Sequence, residues 1–425
     1  MHSPAEALKL ILEHSCTMPA ETRVVSAAHG QILAEAVYAG HHHPPADNSA
    51  MDGYALRAED SSKASEENLV SLKMIGRSRA GEPYGGVLGA GEAVRIFTGA
   101  LVPEGADAVE MQEYVRQEGD KAIFHRPVAT GAHIRLRGEN FGPGSGLMPE
   151  GALVQAASVG LLCSAHIQEL RVYRRPRVAI LGTGDELVAL EEAVGRPETL
   201  VDSNGPMLSA YCAELGVDVV ACATCEDSVE GVAAWLTRAV ENSDIILSTG
   251  GASVGEHDVI AEAWEIAGIE TVFWKIAMKP GKPLRFGRKE HEDGSGRPPT
   301  LFFALPGNPL SALTGFERYV APSLRKMLGH QDLEDPKIKV PLTRGFKKKV
   351  GRTHFTQCAI KPTSSGWGAE AQTHQGSFML RAAAISELVG VFPAEASELS
   401  EGDLVEVYVR PGWLRGKTLR TLVDD

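Results

Sequence analysis

The sequence predicts a multidomain protein of mixed α/β and β class: a central doubly wound α/β domain, an inserted small β module, an elongated helical arm domain and a C-terminal β-barrel. Three observations predict this. "RVAIL", "DIILS" and "TLFFAL" are continuous apolar runs, as expected of parallel strands buried on both faces, and each enters a glycine-rich loop, "GTGDEL", "TGGASVGEHD" and "PGNP" respectively. Shorter β-type runs punctuated by Gly and Pro occupy the regions before and after them. A length of 425 residues, 43% hydrophobic and 23% charged, suits several separate cores.

In chain order, residues 4 to 37 show helical spacing, with Leu8, Ile11 and Leu12 on one face and a second apolar run from Ile32 to Val37. From about 44 to 140 the texture changes to runs such as "EAVRIF" and "DAVEM", broken by "GEP", "GGVLGAG" and "PEGAD". Helical pattern returns at about 155 to 166. Pairing of that segment with the amino-terminal arm makes 1–43 and 141–172 one elongated helical domain with the β module, 44–140, inserted in it.

The α/β domain spans 173–330. Inside it, "DSNGPMLSAYCAELG" offers polar cap candidates, Pro206 near the first turn and Gly216 as a stop. "VIAEAWEIAG" and "LSALTGFERYVAPSLRKML" supply further helices, and the charged, Gly/Pro-rich "RKEHEDGSGRPP" reads as a mobile hairpin tip. After the polar linker "QDLEDPK", the alternating runs "HFTQCAI" and "LVEVYVR" predict a small β-barrel over 331–425.

Composition narrows the function. A net charge of −13 argues against a duplex nucleic acid partner, which needs clustered Lys and Arg. No window approaches eighteen consecutive apolar residues, and "MHSPAEALKL" lacks a basic segment followed by an apolar run, so a cytoplasmic protein without membrane spans is expected. Six scattered cysteines fit a reducing compartment. The lone Cys222-x-x-Cys225 has no second pair, and the consecutive histidines of the loop run "HHHPP" seldom converge on one metal, so neither is taken as a redox or metal site.

Loops at the carboxyl ends of parallel strands form the default ligand crevice, and glycine there lets backbone N–H groups approach an anion. Neither a G-x-G-x-x-G fingerprint nor a P-loop is present. In "STGGASVGEHD", Gly250, Gly251 and Ser253 suit a phosphate cradle with Asp258 on a divalent cation; the same residues suit a tight βα turn with Asp258 as helix cap. "WKIAMKPGKPLRFG" gathers Lys275, Lys279 and Lys282 around a Pro-Gly turn, either for a polyanionic ligand or as a solvated basic face. "LPGNPLSA" (Pro306, Gly307, Asn308, Pro309) is a rigid turn that starts a helix, and its backbone donors either face the crevice or simply cap it. Asp185 and Glu186 end the first strand, and acids beside lysines and phosphate imply a hard ion such as Mg²⁺. On residue chemistry alone, the reading is metal-assisted chemistry on a phosphorylated small molecule.

The motifs "PPADNSAMDGYA", "RIFTGALVPEGADAVEMQE", "ILGTGDEL", "VDSNGPML", "SDIILSTGGASVGEHD", "MKPGKP" and "LPGNPLSA", in this order along nearly the whole chain, resemble the molybdopterin molybdenumtransferase family, which includes the enzymatic carboxyl-terminal domain of gephyrin. The resemblance implies insertion of molybdate into adenylylated molybdopterin with release of AMP, assisted by Mg²⁺. It implies a homodimer whose active cleft joins the α/β domain of one subunit to the inserted β module of the other, with the molybdopterin adenylyltransferase as a further partner. It points to Asp52, Thr98, Glu186 and Asp258 as catalytic, with Asp258 and Glu186 on the metal. Gly250, Gly251, Ser253, Lys275, Lys279, Lys282, Pro306, Gly307, Asn308, Pro309 and Ser377 become substrate-binding. Asp47 reads instead as a structural turn residue. Two positions depart from the family pattern. Asn140 stands where an Asp is usual and Gln357 where an Arg is usual, with Arg352 or Arg381 as candidates to replace the lost charge. Two other readings are an adenylyltransferase-like activity and a non-catalytic cofactor-binding scaffold.

Overall fold

The computed structural model describes residues 1–251, 259–291, 294, 296–364, 366–373 and 375–410. The chain is a multidomain mixed α/β protein with a central mixed sheet and β-rich N-terminal and C-terminal regions. It divides into two compact units, one of residues 1–22, 30–34 and 171–425, the other of 23–29 and 35–170.

Helix α1, Pro4–His14, belongs to the first unit. Ser3 caps it, accepting from the Glu6 N–H while the Glu6 carboxylate accepts from the Ser3 N–H, and Pro4 fills the first turn, where no N–H is needed. The helical reading fails for Ile32–Val37. Tertiary pairing overrides the apolar spacing there: Leu33 bridges Val172, and Val37 and Tyr38 pair with Met148 and Gly146.

The second unit is built on six strands, β1 Gly53–Leu56, β2 Val70–Ser78, β3 Glu92–Ile96, β4 Ala108–Met111, β5 Val115–Glu118 and β6 Lys121–Phe124, in the order β4-β1-β3-β2-β6-β5. Strict alternation in β1 sends Tyr54 and Leu56 into one core with Phe124 and Leu72, and Ala55 into another with Val94, Ile96 and Val109. Helix α2, Ala156–Ser164, lies in the predicted helical segment, and its Leu161 packs beside Ala39, Phe141 and Ala165.

In the first unit, β7 Arg177–Thr183, β8 Leu187–Val188, β9 Leu200–Val201, α3 Asn204–Glu214, β10 Asp218–Cys225, α4 Val229–Val240, β11 Ile245–Thr249, α5 Val259–Ile266, β12 Glu270–Trp274, β13 Met278–Lys279, β14 Arg285–Lys289 and β15 Thr300–Leu305 follow one another. The central sheet runs β10-β7-β11-β15-β14-β12. Its first four strands are parallel, and β14 is antiparallel to both neighbours. Successive residues of β7 serve opposite faces: Val178 and Ile180 pack with α3 residues Leu208 and Cys212, whereas Ala179 and Leu181 pack with Leu236 of α4 and Trp264 of α5. That two-sided burial is why these strands read as unbroken apolar runs. Helix α3 begins one residue after Ser203, contains Pro206 in its first turn, and stops before Gly216 at φ +68°. Ile11 of α1 and Phe316 join the core on the α3 face.

After β15 come α6 Pro309–Gly315, a π-helical turn Phe316–Val320, and α7 Ala321–Met327. The C-terminal region contains β16 Lys337–Pro341, β17 Thr353–Thr363, β18 Gly366–Ala371, α8 Leu380–Ala384, β19 Leu388–Phe392 and β20 Leu404–Val409, ordered β13-β17-β19-β20-β16 with β18 on β17. A bridge between Leu342 and Ala369 links the chain just past β16 to β18, so pairing runs around a ring of five strands.

Candidate active site: a cleft at the carboxyl edge of the central sheet

A cleft of about 450 Å³ opens beyond the carboxyl ends of β7, β11 and β15. Its floor is the loops that follow those strands. Gly250 takes φ +92°, and a Cβ there would stand 2.2 Å from the Thr183 carbonyl oxygen. A Cβ at Gly307 would stand 3.3 Å from the Gly250 Cα. The two loops therefore approach closely, and the positive φ and the Thr183 carbonyl require glycine at position 250. Gly251, at φ +57°, follows directly.

The amino end of α3 forms a side wall. The Asp202 carboxylate accepts from the N–H groups of Asn204, at 3.0 Å, and Gly205, at 3.1 Å, so it caps the helix. The Asn204 side-chain amide donates to the Gly307 carbonyl at 2.8 Å and ties α3 to the loop after β15. Asn308 and Pro309 open α6; the N–H of Leu310 donates to the Ser377 carbonyl at 2.9 Å, which holds the Ser377 segment at the cleft. Phe378 and Leu380 complete the lining there, and Leu187 and Leu200 line it from β8 and β9.

Glu186 lines the cleft at the end of β7, next to an acidic corner. The Asp227 N–H donates to the Asp185 carboxylate at 2.9 Å. Partial desolvation first, and then the like charges of Asp185 and Glu186, push the Asp227 carboxyl above its usual range. Carboxylate oxygens are the donors a hard divalent cation takes, and a cation would relieve this like-charge repulsion. Among the described residues no three His, Cys, Asp or Glu side chains converge closely enough to hold a metal alone. Asp258 and Ser253, assigned from sequence to the metal and to the phosphate, lie outside the described residues.

The three lysines flank the same sheet edge beyond β15. The register places Trp274 opposite Arg285, Arg285 opposite Ala304, and Ala304 opposite Ser248, so the β12–β14 connection leaves the sheet on the side of the cleft loops. None of Lys275, Lys279, Lys282 and Pro306 lines the cleft itself. Lys275 holds φ +73°, unusual for a side chain with a Cβ, and its ammonium sits 3.4 Å from the centre of the Trp274 ring. Lys279 is exposed on β13, opposite His354 in register. Burial first, then Lys279, Lys348 and Arg352, lower the His354 imidazole to about 4.

In the second unit, Asp52 and Thr98 meet. The Asp52 carboxylate accepts from both the N–H and the hydroxyl of Thr98, each at 2.7 Å. Those two bonds, aided by Arg95, hold its carboxyl below the usual range. Asp47 accepts from the Arg137 N–H at 2.7 Å, a turn-stabilising contact. Gln357 is fully buried, and its side-chain oxygen accepts from Arg410 at 2.9 Å. Arg410 is in turn braced by Glu317 at 2.7 Å. It is Arg410, rather than Arg352 or Arg381, whose guanidinium is hydrogen-bonded to the Gln357 side chain.

Sequence reasoning missed Phe378, Leu187 and Leu200, because an apolar side chain facing a cleft has the same spacing as one facing a core. The tie from Asn204 to Gly307 joins segments far apart in the chain and leaves no local signal.

Comparison with known proteins agrees over most of the chain. Three family models match in order: "MoeA N-terminal region (domain I and II)" over residues 2–165, "Probable molybdopterin binding domain" over 179–326 and "MoeA C-terminal region (domain IV)" over 339–409. The chain is 36% identical to a molybdopterin molybdenumtransferase of Nostoc sp. over 73% of this chain and 70% of that one. It is 34% identical to one of Haemophilus influenzae over 89% and 91%. A crystal structure of a molybdopterin biosynthesis moeA protein from Pyrococcus horikoshii superposes with a TM-score of 0.77 at 28% identity, covering 96% of this chain and all of the other. With its motifs, its cleft and these relatives in agreement, the chain belongs to the molybdopterin molybdenumtransferase family.

Proposed function

We propose that this chain inserts molybdate into adenylylated molybdopterin and releases AMP, yielding molybdenum cofactor, with Mg²⁺ assisting. The observation that carries the reading is the close approach of the Gly250 and Gly307 backbones beside Glu186 at one strand edge. This is a surface that can bring amide donors and a cation to a pyrophosphate together. Release of AMP breaks a phosphoanhydride, and the departing oxygen gains negative charge. In this reading amides of the Gly250-Gly251 and Gly307-Asn308 loops bind that charge, while Lys275, Lys279 and Lys282 offset charge on molybdate and phosphate. Glu186 and Asp258 would hold Mg²⁺, which when bound supplies Lewis-acid stabilisation of the phosphates. Pro306, Pro309, Ser253 and Ser377 shape the binding surface.

The remaining assignments belong to the same reading. Domains at 1–43 with 141–172, 44–140, 173–330 and 331–425 form an elongated arm, an inserted β module, the molybdopterin-binding α/β domain and a small barrel. The ring of strands closed at Leu342 supports the last of these. The protein acts as a cytoplasmic homodimer and receives its substrate from the molybdopterin adenylyltransferase. Asp52, oriented by Thr98, is delivered to the cleft of the neighbouring subunit. Asp258→Ala is expected to abolish turnover while light scattering still gives a mass twice the 45.4 kDa of one chain. Full activity in that variant removes Asp258 from the mechanism, and consumption of ATP with free molybdopterin by the wild type would replace insertion by adenylylation.

A further inference from the structure

One wall of the cleft does not match a site built for phosphate and oxyanion alone. Phe378 lines the cleft with 66% of its surface exposed, and Leu200, also in the lining, is 56% exposed. Leu200 stands in register with Leu187, so the two leucines form an apolar pair in the cleft lining. Covering an exposed aromatic ring with a flat ligand is favourable.

The ring is also held in place. A Cβ on Gly376 would stand 2.9 Å from Cε1 of Phe378 and 3.3 Å from Cδ1, so the ring lies against the glycine. The backbone on both sides is fixed: the Ser377 carbonyl accepts from Leu310, the Met379 N–H donates to the Gly376 carbonyl at 2.9 Å, and the Leu380 N–H donates to the Phe378 carbonyl at 3.1 Å. Leu380 then packs with Leu310 and Leu313 of α6. The glycine loops supply polar amides to the cleft while this wall supplies a flat apolar face, the division of surface that a nucleotide-like ligand with an anionic linker and a fused heteroaromatic ring requires.

We propose that Phe378, with Leu187 and Leu200, is the stacking wall for a fused heteroaromatic ring of the bound substrate and so determines specificity for it. The proposal rests on the reading that this cleft holds adenylylated molybdopterin. That substrate carries adenine, a fused heteroaromatic ring, and a pterin whose pyrimidine half offers a flat conjugated face.

Binding is measured by calorimetry on the full-length protein with three probes: AMP, ribose 5-phosphate and pterin-6-carboxylate. The variants are Phe378→Ala and Phe378→Trp, with thermal unfolding as a control that an exposed side chain should leave unchanged. If adenine stacks, the preference for AMP over ribose 5-phosphate falls about tenfold in Phe378→Ala and returns in Phe378→Trp. If the pterin stacks, affinity for pterin-6-carboxylate falls by a similar factor and the AMP preference stays. If neither moves while the wild type still releases AMP from adenylylated molybdopterin in the presence of molybdate, the stacking wall is wrong and the functional reading survives. A wild type that binds none of the probes and releases no AMP overturns both.

Discussion

Gly250 is the residue on which the cleft depends most. Its φ of +92° and the 2.2 Å approach of a Cβ to the Thr183 carbonyl leave no room for a side chain. Gly250→Ala is expected to cost about 1–3 kcal/mol in backbone strain alone and to displace the loop from Gly307, with activity lost along with stability. A calorimetric unfolding temperature equal to wild type would contradict this. His354 carries a second expectation. Its imidazole is lowered from 6.5 to about 4 by burial, then by Lys279, Lys348 and Arg352. Between those pH values the unfolded chain binds a proton that the folded chain refuses. Its contribution to stability is therefore complete above pH 6.5 and is lost as pH falls toward 4, at up to about 1.4 kcal/mol per pH unit. Urea unfolding at pH 7 and pH 5 should show this loss, and His354→Gln should diminish it. The same pH dependence in the variant would assign it to other groups.

Among the elements, the central sheet was the most legible, because strands buried on both faces leave unbroken apolar runs that end in glycine. "DIILS" and "TLFFAL" became β11 and β15, almost residue for residue. The amino-terminal run Ile32–Val37 misled for the opposite reason: in so short an apolar stretch, tertiary pairing rather than periodicity decides the conformation. The layer on the α4 and α5 face can be tested by itself. Leu236 is fully buried there, packed with Ala179, Leu181 and Trp264. Leu236→Ala removes that packing and is expected to destabilise by about 2–5 kcal/mol. An effect within experimental error in chemical denaturation would mean that this face is not the packed layer described.

Across the whole molecule, function was readable further than geometry. The glycine loops and the lysines around Lys279 stand out in composition, where an anion site shares its signature with a tight βα turn and a solvated basic face. The cleft's other half did not, because Phe378, Leu200 and the Asn204–Gly307 tie acquire their meaning only when segments distant in sequence are brought to one edge. The departures at Asn140 and Gln357 were visible at once, yet only coordinates reveal that Gln357 is buried against Arg410. The central claim is that this edge couples oxyanion insertion to cleavage of the pterin nucleotide. The most direct test mixes the purified protein with adenylylated molybdopterin and Mg²⁺, then adds molybdate and follows AMP by chromatography alongside cofactor formation. The account predicts AMP released in step with molybdenum incorporated, both lost when Mg²⁺ is chelated. Cofactor formation without AMP release, or no reaction under these conditions, would contradict it.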